Sequence, residues 1–403
     1  MTTHVFVVNE NTFRYHLEYQ FAGTGFSIDK AATYSERVGN PNFLDFNNNP
    51  TTALHSKTED TLIGLMADGC RVRKGDLVLF YLEQIKDEYE LKGGFYGVFQ
   101  AVEDNVFIDY GENPTQSQLG MCLPFRLKIR PYKVFSKGVT EWEALDQISG
   151  CHKVIQSPWQ MQWSLIYRKL KGKRGNTMIT LYESEWLIDL IQRVNNGETL
   201  TILNNQHFTF QNYEIHTTSD IIGTYIGEQH NINLLPRLIN KFENGKAFEP
   251  HLQCYITQNL GLNRNISLDT SIFSKNSSVE WIGNEVSCGV GMQRIDILAS
   301  VKEDEITNVV YPIELKAVKS SSDNIRQLQR YIDWLEQYYL PNRRSIIQPV
   351  LICKKDKPLT KAIKETFTFF NSFNSTRGHR PLLYIEYQLD ESQNNLIFER
   401  ISY

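Results

Sequence analysis

QRIDILASVKEDEITNVVYPIELKAV, residues Gln293 to Val318, decides how this chain is read. Two apolar runs flank a charged turn, which is the pattern of a β-hairpin. Yet Asp296 interrupts the first run, and Glu314 and Lys316 interrupt the second. Strand side chains alternate between faces. Ile295 and Ile297 therefore share one face and Asp296 takes the other. Ile313, Leu315 and Ala317 share one face, while Glu314 and Lys316 occupy the opposite one. Residues 301–308 are polar enough to turn the chain. If the strands pair, Asp296, Glu314 and Lys316 converge on one side of the sheet. Two hard carboxylates, with the Leu315 carbonyl as a third oxygen, suit Mg²⁺, with Mn²⁺ as a substitute. A cation there lowers the pKa of a bound water and stabilises charge on a phosphate. Lys316 then orients the water or offsets that charge. The plainer reading is a surface hairpin with a Glu–Lys pair, since a bare E-x-K is common.

The flanking sequence bears on that choice. After Lys316 comes a Ser-rich break, then a helical pattern over 323–339 with Ile325, Leu328, Ile332 and Leu335 as its apolar stripe. Gln327 and Tyr331 stand one helical turn apart on it, and Tyr331 either lines a groove or packs in the core beside Ile332. A strand-like run over 349–353 comes next, so the order is strand, helix, strand.

This order resembles the PD-(D/E)XK nuclease superfamily. Asp296 matches its motif Asp, Glu314-Leu315-Lys316 its E-x-K, and Gln327 to Tyr331 the Q-x-x-x-Y of RecB-like members. The run from Arg294 to Ala299, together with the E-L-K and the Gln-Leu-x-x-Tyr downstream of it, looks most like the NucS-type archaeal nucleases. The resemblance covers residues 245–355. It implies a restriction-endonuclease-like α/β domain, catalysis by Asp296, Glu314, Lys316, Gln327 and Tyr331, and a further acid on the leading helix. Glu249 in EPHLQCYITQNLGL is the candidate for that acid, although Gln253 stands where a second acid is expected. Glu285 competes with Glu249; its plainer role is a salt bridge beside the active strand.

The chain as a whole permits this. It has 403 residues, room for two domains, and a formal net charge of -4, so a uniformly basic DNA-coating protein is excluded. No apolar run is long enough to span a bilayer, and the first residues lack a signal-peptide pattern. The six cysteines are scattered without a C-x-x-C pair, and Cys151-His152 has poor ligand spacing. Reduced thiols in a cytoplasmic protein, with no membrane contact, are expected. Pattern changes suggest three zones: 1–196, a polar connector over 197–240 with short strands and a helix around Ile232 to Phe242, and 241–403.

Residues 1–196 carry strand-like runs over 4–8, 75–81 and 93–99. Residues 125–132 alternate, with Arg126, Lys128 and Arg130 on a basic face. Residues 183–194 are helical, with Trp186, Leu187, Leu190 and Ile191 as the stripe. The loop bearing Lys169, Lys171, Lys173 and Arg174 can track a phosphate backbone or be a solvated turn. Trp159 and Trp163 precede it and can hold a base or be core. The order of these runs resembles an EVE domain of the PUA/YTH-like group. That implies a PUA-type β-barrel that binds modified or flipped bases in an aromatic-walled pocket, for which Trp142, Trp159 and Trp163 are candidates.

The fold class expected is thus α+β / α/β, an EVE-like barrel followed by a PD-(D/E)XK domain. Double-stranded DNA is the expected partner. One such Asp and E-x-K site per chain and two strands to cut lead to a homodimer. Three functions fit: a Mg²⁺-dependent restriction-type endonuclease, a repair nuclease for mismatched, flap or branched DNA, and a catalytically inactive nucleic-acid-binding protein.

Overall fold

The structure is a computed structural model. It describes residues 1–25, 56–86, 91–109, 119, 123–144, 175–203, 206–220, 225, 227, 229–245, 248–288, 293–341, 343–355, 361–375, 378–390 and 392–403. The chain divides into two compact units: Met1–Asn49 with Asp68–Ile232, and Pro50–Ala67 with Asn233–Tyr403.

In the first unit, β1 (Thr3–Val8) is buried along nearly its whole length. Asn9 then starts α1 (Glu10–Glu18): its side chain accepts from Thr12 N at 2.9 Å, and Thr12 Oγ1 accepts from Asn9 N at 3.3 Å. This reciprocal cap satisfies two backbone donors that a helix start leaves open. Next come β2 (Phe21–Thr24), α2 (Ser56–Cys70), of which only Asp68–Cys70 belong to this unit, β3 (Leu77–Lys86), β4 (Leu91–Ala101), β5 (Phe107–Ile108), β6 (Phe125–Pro131) and β7 (Asn176–Ile179). Then come α3 (Leu181–Val194), β8 (His207–Gln211), β9 (Glu214–Thr218) and β10 (His230–Asn231). The sheet order is β10-β5-β6-β4-β3-β1-β7, with β2 also on β6. β1 and β3 are parallel and the other pairs antiparallel. This is a half-barrel sheet in an α+β unit. Of the PUA-type barrel expected from the sequence, the described strands form this half-barrel, with a ladder that runs from β10 to β7.

The stripe of α3 covers one face of this sheet. Leu187, Leu190 and Ile191 pack with Val5, Leu79 and Ile179, and Trp186 stays partly exposed. The rings of Phe13, Phe80, Tyr96, Phe99, Phe208 and Phe210 form a second cluster. The β8–β9 hairpin supplies two of them. It turns at Asn212 and Tyr213, both at positive φ, which matches strand twist in a tight hairpin. Residues 197–240 therefore carry structure on both sides of the division at Ile232.

The basic face expected over 125–132 is also corrected. Arg126 is fully buried, pairs with Asp109 at 2.9 Å and donates to Leu123 O. Arg130 lies in the open and donates to Gln100. A buried guanidinium needs an acid and several acceptors, and Asp109 is too distant in sequence to reveal itself by periodicity.

The second unit contains α4 (Leu235–Glu243), α5 (Glu249–Asn259), α6 (Ile266–Ile272), β11 (Ser278–Ser287), β12 (Arg294–Lys302) and β13 (Asn308–Lys316). After these come α7 (Ser322–Trp334), a π-helical turn over Leu335–Tyr339, β14 (Ile346–Ile347), β15 (Val350–Lys354), α8 (Lys361–Ser375), β16 (Leu383–Asp390) and β17 (Asn395–Arg400). The seven-stranded sheet runs β11-β12-β13-β15-β16-β17, with β14 also on β13. β11, β12 and β13 are antiparallel, β13, β15 and β16 parallel, and β17 antiparallel to β16. The crossovers through α7 and α8 are what parallel neighbours require. Ile297, Ile313, Leu315, Val350, Ile352 and Ile385 bury one face against Leu252 and Ile256 of α5 and Leu268 of α6. Glu314 and Lys316 lie on the other face. Leu328 and Ile332 on α7, and Leu335 at the start of the π-helical turn, are buried as expected. Ile325 is only half-buried, and Tyr331 and Trp334 complete the stripe.

Candidate active site

The site lies where β12 and β13 separate. Their ladder pairs Ile297 with Ile313 and goes no further toward Lys316, whereas β13 stays paired with β15 through Lys316. The separation leaves backbone groups of β13 without strand partners on the β12 side. Asp296 meets one of them: its Oδ2 accepts the Leu315 N–H at 2.8 Å. In a strand, the N–H and C=O of one residue point to the same edge, so the Leu315 carbonyl also faces the gap.

Glu314 is fully buried on the face away from the apolar core. Lys316 forms an ion pair with its Oε1. Tyr331 OH stands 2.8 Å from its Oε2 and 2.7 Å from the Arg294 carbonyl, and it accepts from Gln327 Nε2 at 2.7 Å. Glu249 begins α5 and reaches Lys316 Nζ at 3.6 Å. Glu285 points elsewhere, onto Arg294 in an ion pair at 2.5 Å. The structure thus brings together Asp296, Glu314, Lys316, Gln327, Tyr331 and Glu249, and leaves Glu285 out.

Electrostatics reflect this crowding. Burial, then the neighbouring Glu314 charge, hold the Asp296 carboxyl well above the usual carboxylate range. Burial also raises Glu314, against the opposing pull of Lys316 and Tyr331. Burial pulls Lys316 down, but Glu314, Glu249 and Asp296 outweigh it and the ammonium is raised. Lys316 therefore stays protonated, and it donates rather than accepts. Burial and the two acids likewise push the Tyr331 hydroxyl up.

Two buried acids held above their ordinary range are short of positive charge. Among the described residues, no three His, Cys, Asp or Glu side chains gather in a metal-holding arrangement. The oxygen donors here are two carboxylates and one backbone carbonyl. That set fits Mg²⁺, which takes one or two protein carboxylates and fills its remaining positions with water or substrate phosphate.

Sequence reasoning missed the contact of Gln253 with this site; its Nε2 donates to the Asp296 carbonyl at 2.8 Å. The available signal was its place one turn after Glu249. Lys169, Lys171, Lys173, Arg174, Trp159 and Trp163 lie outside the described residues. Trp142 is 49% exposed. Cys70, Cys254, Cys288 and Cys353 are free thiols, all buried. Among the described residues, no helix is long and apolar enough to cross a membrane.

No protein-family profile matches the chain, and no curated protein matches it. Among solved structures, human THYN1 protein in complex with 5-methylcytosine-containing DNA aligns with 48% of this chain and 98% of its own, at 12% identity and a TM-score of 0.25. THYN1 is a weak structural neighbour of this chain.

Proposed function

We propose that the second unit hydrolyses DNA phosphodiester bonds with Mg²⁺ and that the first unit selects the target, in the manner of a restriction endonuclease. One observation carries the reading: Asp296, Glu314 and Lys316 meet at the β12–β13 separation, where a backbone carbonyl also faces the gap. Asp296, Glu314 and the Leu315 carbonyl would hold the cation. Bound there, it supplies an activated water and offsets charge on the phosphate.

The remaining work falls to side chains. Lys316 keeps its proton, which favours the second of its two expected roles, donating to a phosphate oxygen as negative charge builds there. Glu249 and Glu314 hold the ammonium from two sides. Tyr331 fixes Glu314, and Gln327 in turn fixes the tyrosine hydroxyl. In the first unit, target choice would rest on base stacking, which returns an energy similar to the cost of unstacking a base. Cutting both strands would take two copies of the chain.

The test is digestion of plasmids with and without base modification, in Mg²⁺ and in EDTA, with fragment ends sequenced. Discrete Mg²⁺-dependent fragments are expected. Cutting confined to mismatches or junctions replaces restriction with repair, and binding without cutting leaves an inactive scaffold. Asp296→Ala, Glu314→Ala and Lys316→Ala should each slow cleavage by at least about 10²–10³-fold, with DNA binding retained. Wild-type rates in any of the three would sink the assignment.

A further inference from the structure

We infer that Gln253 is a positioning residue that fixes the backbone of Asp296; this rests on the proposed nuclease site. Gln253 comes one turn after Glu249 on α5, so both side chains leave the helix on the same flank. Glu249 reaches Lys316, and Gln253 reaches Asp296. Gln253 is 6% exposed, and its amide donates Nε2–H to the Asp296 carbonyl at 2.8 Å.

The place of that carbonyl gives the contact its meaning. β12 loses β13 beyond Ile297. On its other side, β11 pairs Val286 with Ile295 and Asn284 with Ile297, and the residue between, Glu285, has φ +46°. Neither ladder assigns Asp296 a partner. In an ordinary strand, ladder bonds on both sides set how a residue aims its side chain. Asp296 is instead held at two points from outside the ladders: Gln253 grips its carbonyl, and the Leu315 N–H grips Oδ2. With both in place, the second carboxylate oxygen has a set direction.

The chemistry also explains why an amide, not an acid, stands at 253. An ionised carboxylate has no proton to give a carbonyl. A glutamate there would face the Asp296 carbonyl with a lone pair and add a fourth acid to Asp296, Glu314 and Glu249. Gln has the length of Glu and supplies the donor.

The experiment measures Mn²⁺ binding to the metal-free full-length protein by electron paramagnetic resonance, together with kcat and KM on cleaved DNA. Gln253→Met keeps length and volume but removes the donor; Gln253→Leu replaces it if the Met variant does not fold. The variant is expected to bind Mn²⁺ about 10–100-fold more weakly, the usual loss when a partner behind a ligand is removed. kcat should fall with KM for DNA unchanged. Gln253→His, which restores an N–H donor, should recover part of the Mn²⁺ affinity. Wild-type Mn²⁺ affinity and kcat in the donorless variant would overturn the role of Gln253 and leave the active site standing. No recovery by a folded Gln253→His, at a melting temperature equal to the Met variant's, would reduce Gln253 to packing. Wild-type protein that binds no Mn²⁺ would overturn the active-site reading itself.

Discussion

Tyr331 belongs to two environments at once. Its ring is 1% exposed and packs in the stripe of α7, while its hydroxyl lies within hydrogen-bond reach of Glu314 and Arg294. The groove and core readings of this residue are therefore compatible, and truncation to Ala confounds them. Tyr331→Ala should cost about 3–5 kcal/mol, as for other buried rings. Tyr331→Phe keeps the ring and removes only the hydroxyl. It should cost about 1–2 kcal/mol, because Gln327 and the two acceptors lose a partner, and it should slow cleavage about 10-fold through a less ordered Glu314. Thermal melts and single-turnover cleavage on the Phe variant check both halves. An unchanged cleavage rate would confine Tyr331 to the core.

At the scale of elements, α1 carries a buried histidine. His16 donates through Nδ1 to Thr12 O at 2.8 Å, stacks on Phe21 at 4.7 Å and meets Phe80 edge-on. Burial lowers its pKa from 6.5 to about 4, although its contacts with backbone oxygens oppose the shift. Burial also lowers His4, against Asp76. Between those values the unfolded chain binds a proton that the folded chain refuses, so stability rises with pH there. It should be complete above pH 6.5, fall as pH drops toward about 4, and level off below. The His16 share is about 3 kcal/mol at 1.36 kcal/mol per pH unit. Urea unfolding at pH 7 and 4.5 checks this: His16→Phe should lose less stability than wild type on acidification, and an equal loss would refute it. Elements also show what could be read in advance. The β12–β13 hairpin, its polar face and the α7 crossover were legible, because periods of 2 and 3.6 are local. Gln327 and Tyr331 were legible as an i,i+4 pair. The strand separation at Ile297 was not, because it depends on where a ladder stops. Arg126 was misread as a surface cation because its acid lies on another segment. Short strands were legible in 197–240, but the burial of the β8–β9 hairpin was not: Phe208, Phe210 and Ile215 are outnumbered by polar neighbours.

For the whole molecule, that hairpin decides where the first unit can be cut. Phe208, Phe210 and Ile215 are almost fully buried. Phe210 packs at a tilt against Phe13 at 4.5 Å and edge-on to Tyr96 at 5.3 Å, and Thr209 Oγ1 donates to Glu18 at 2.8 Å. The backbone is tied in too: Leu200 N donates to Val134 O and Ile215 N to Ser136 O, both at 2.8 Å. A fragment ending at 196, the boundary suggested by composition, strips this cover from α1 and β4. Each lost phenylalanine removes about 2–3 kcal/mol of burial, which is a large fraction of the net stability of a domain. Residues 1–196 alone should therefore show weaker near-UV circular dichroism and a broader melt than residues 1–232, which keep the hairpin. If target choice lives in the first unit, the 1–232 fragment should also bind DNA with the preference of the full chain, more weakly. Equal cooperativity in the two fragments would show that the hairpin is dispensable. A cooperative 1–232 fragment that binds no DNA, beside a second unit that cuts with the full pattern, would move target choice out of the first unit and put the repair reading ahead of restriction.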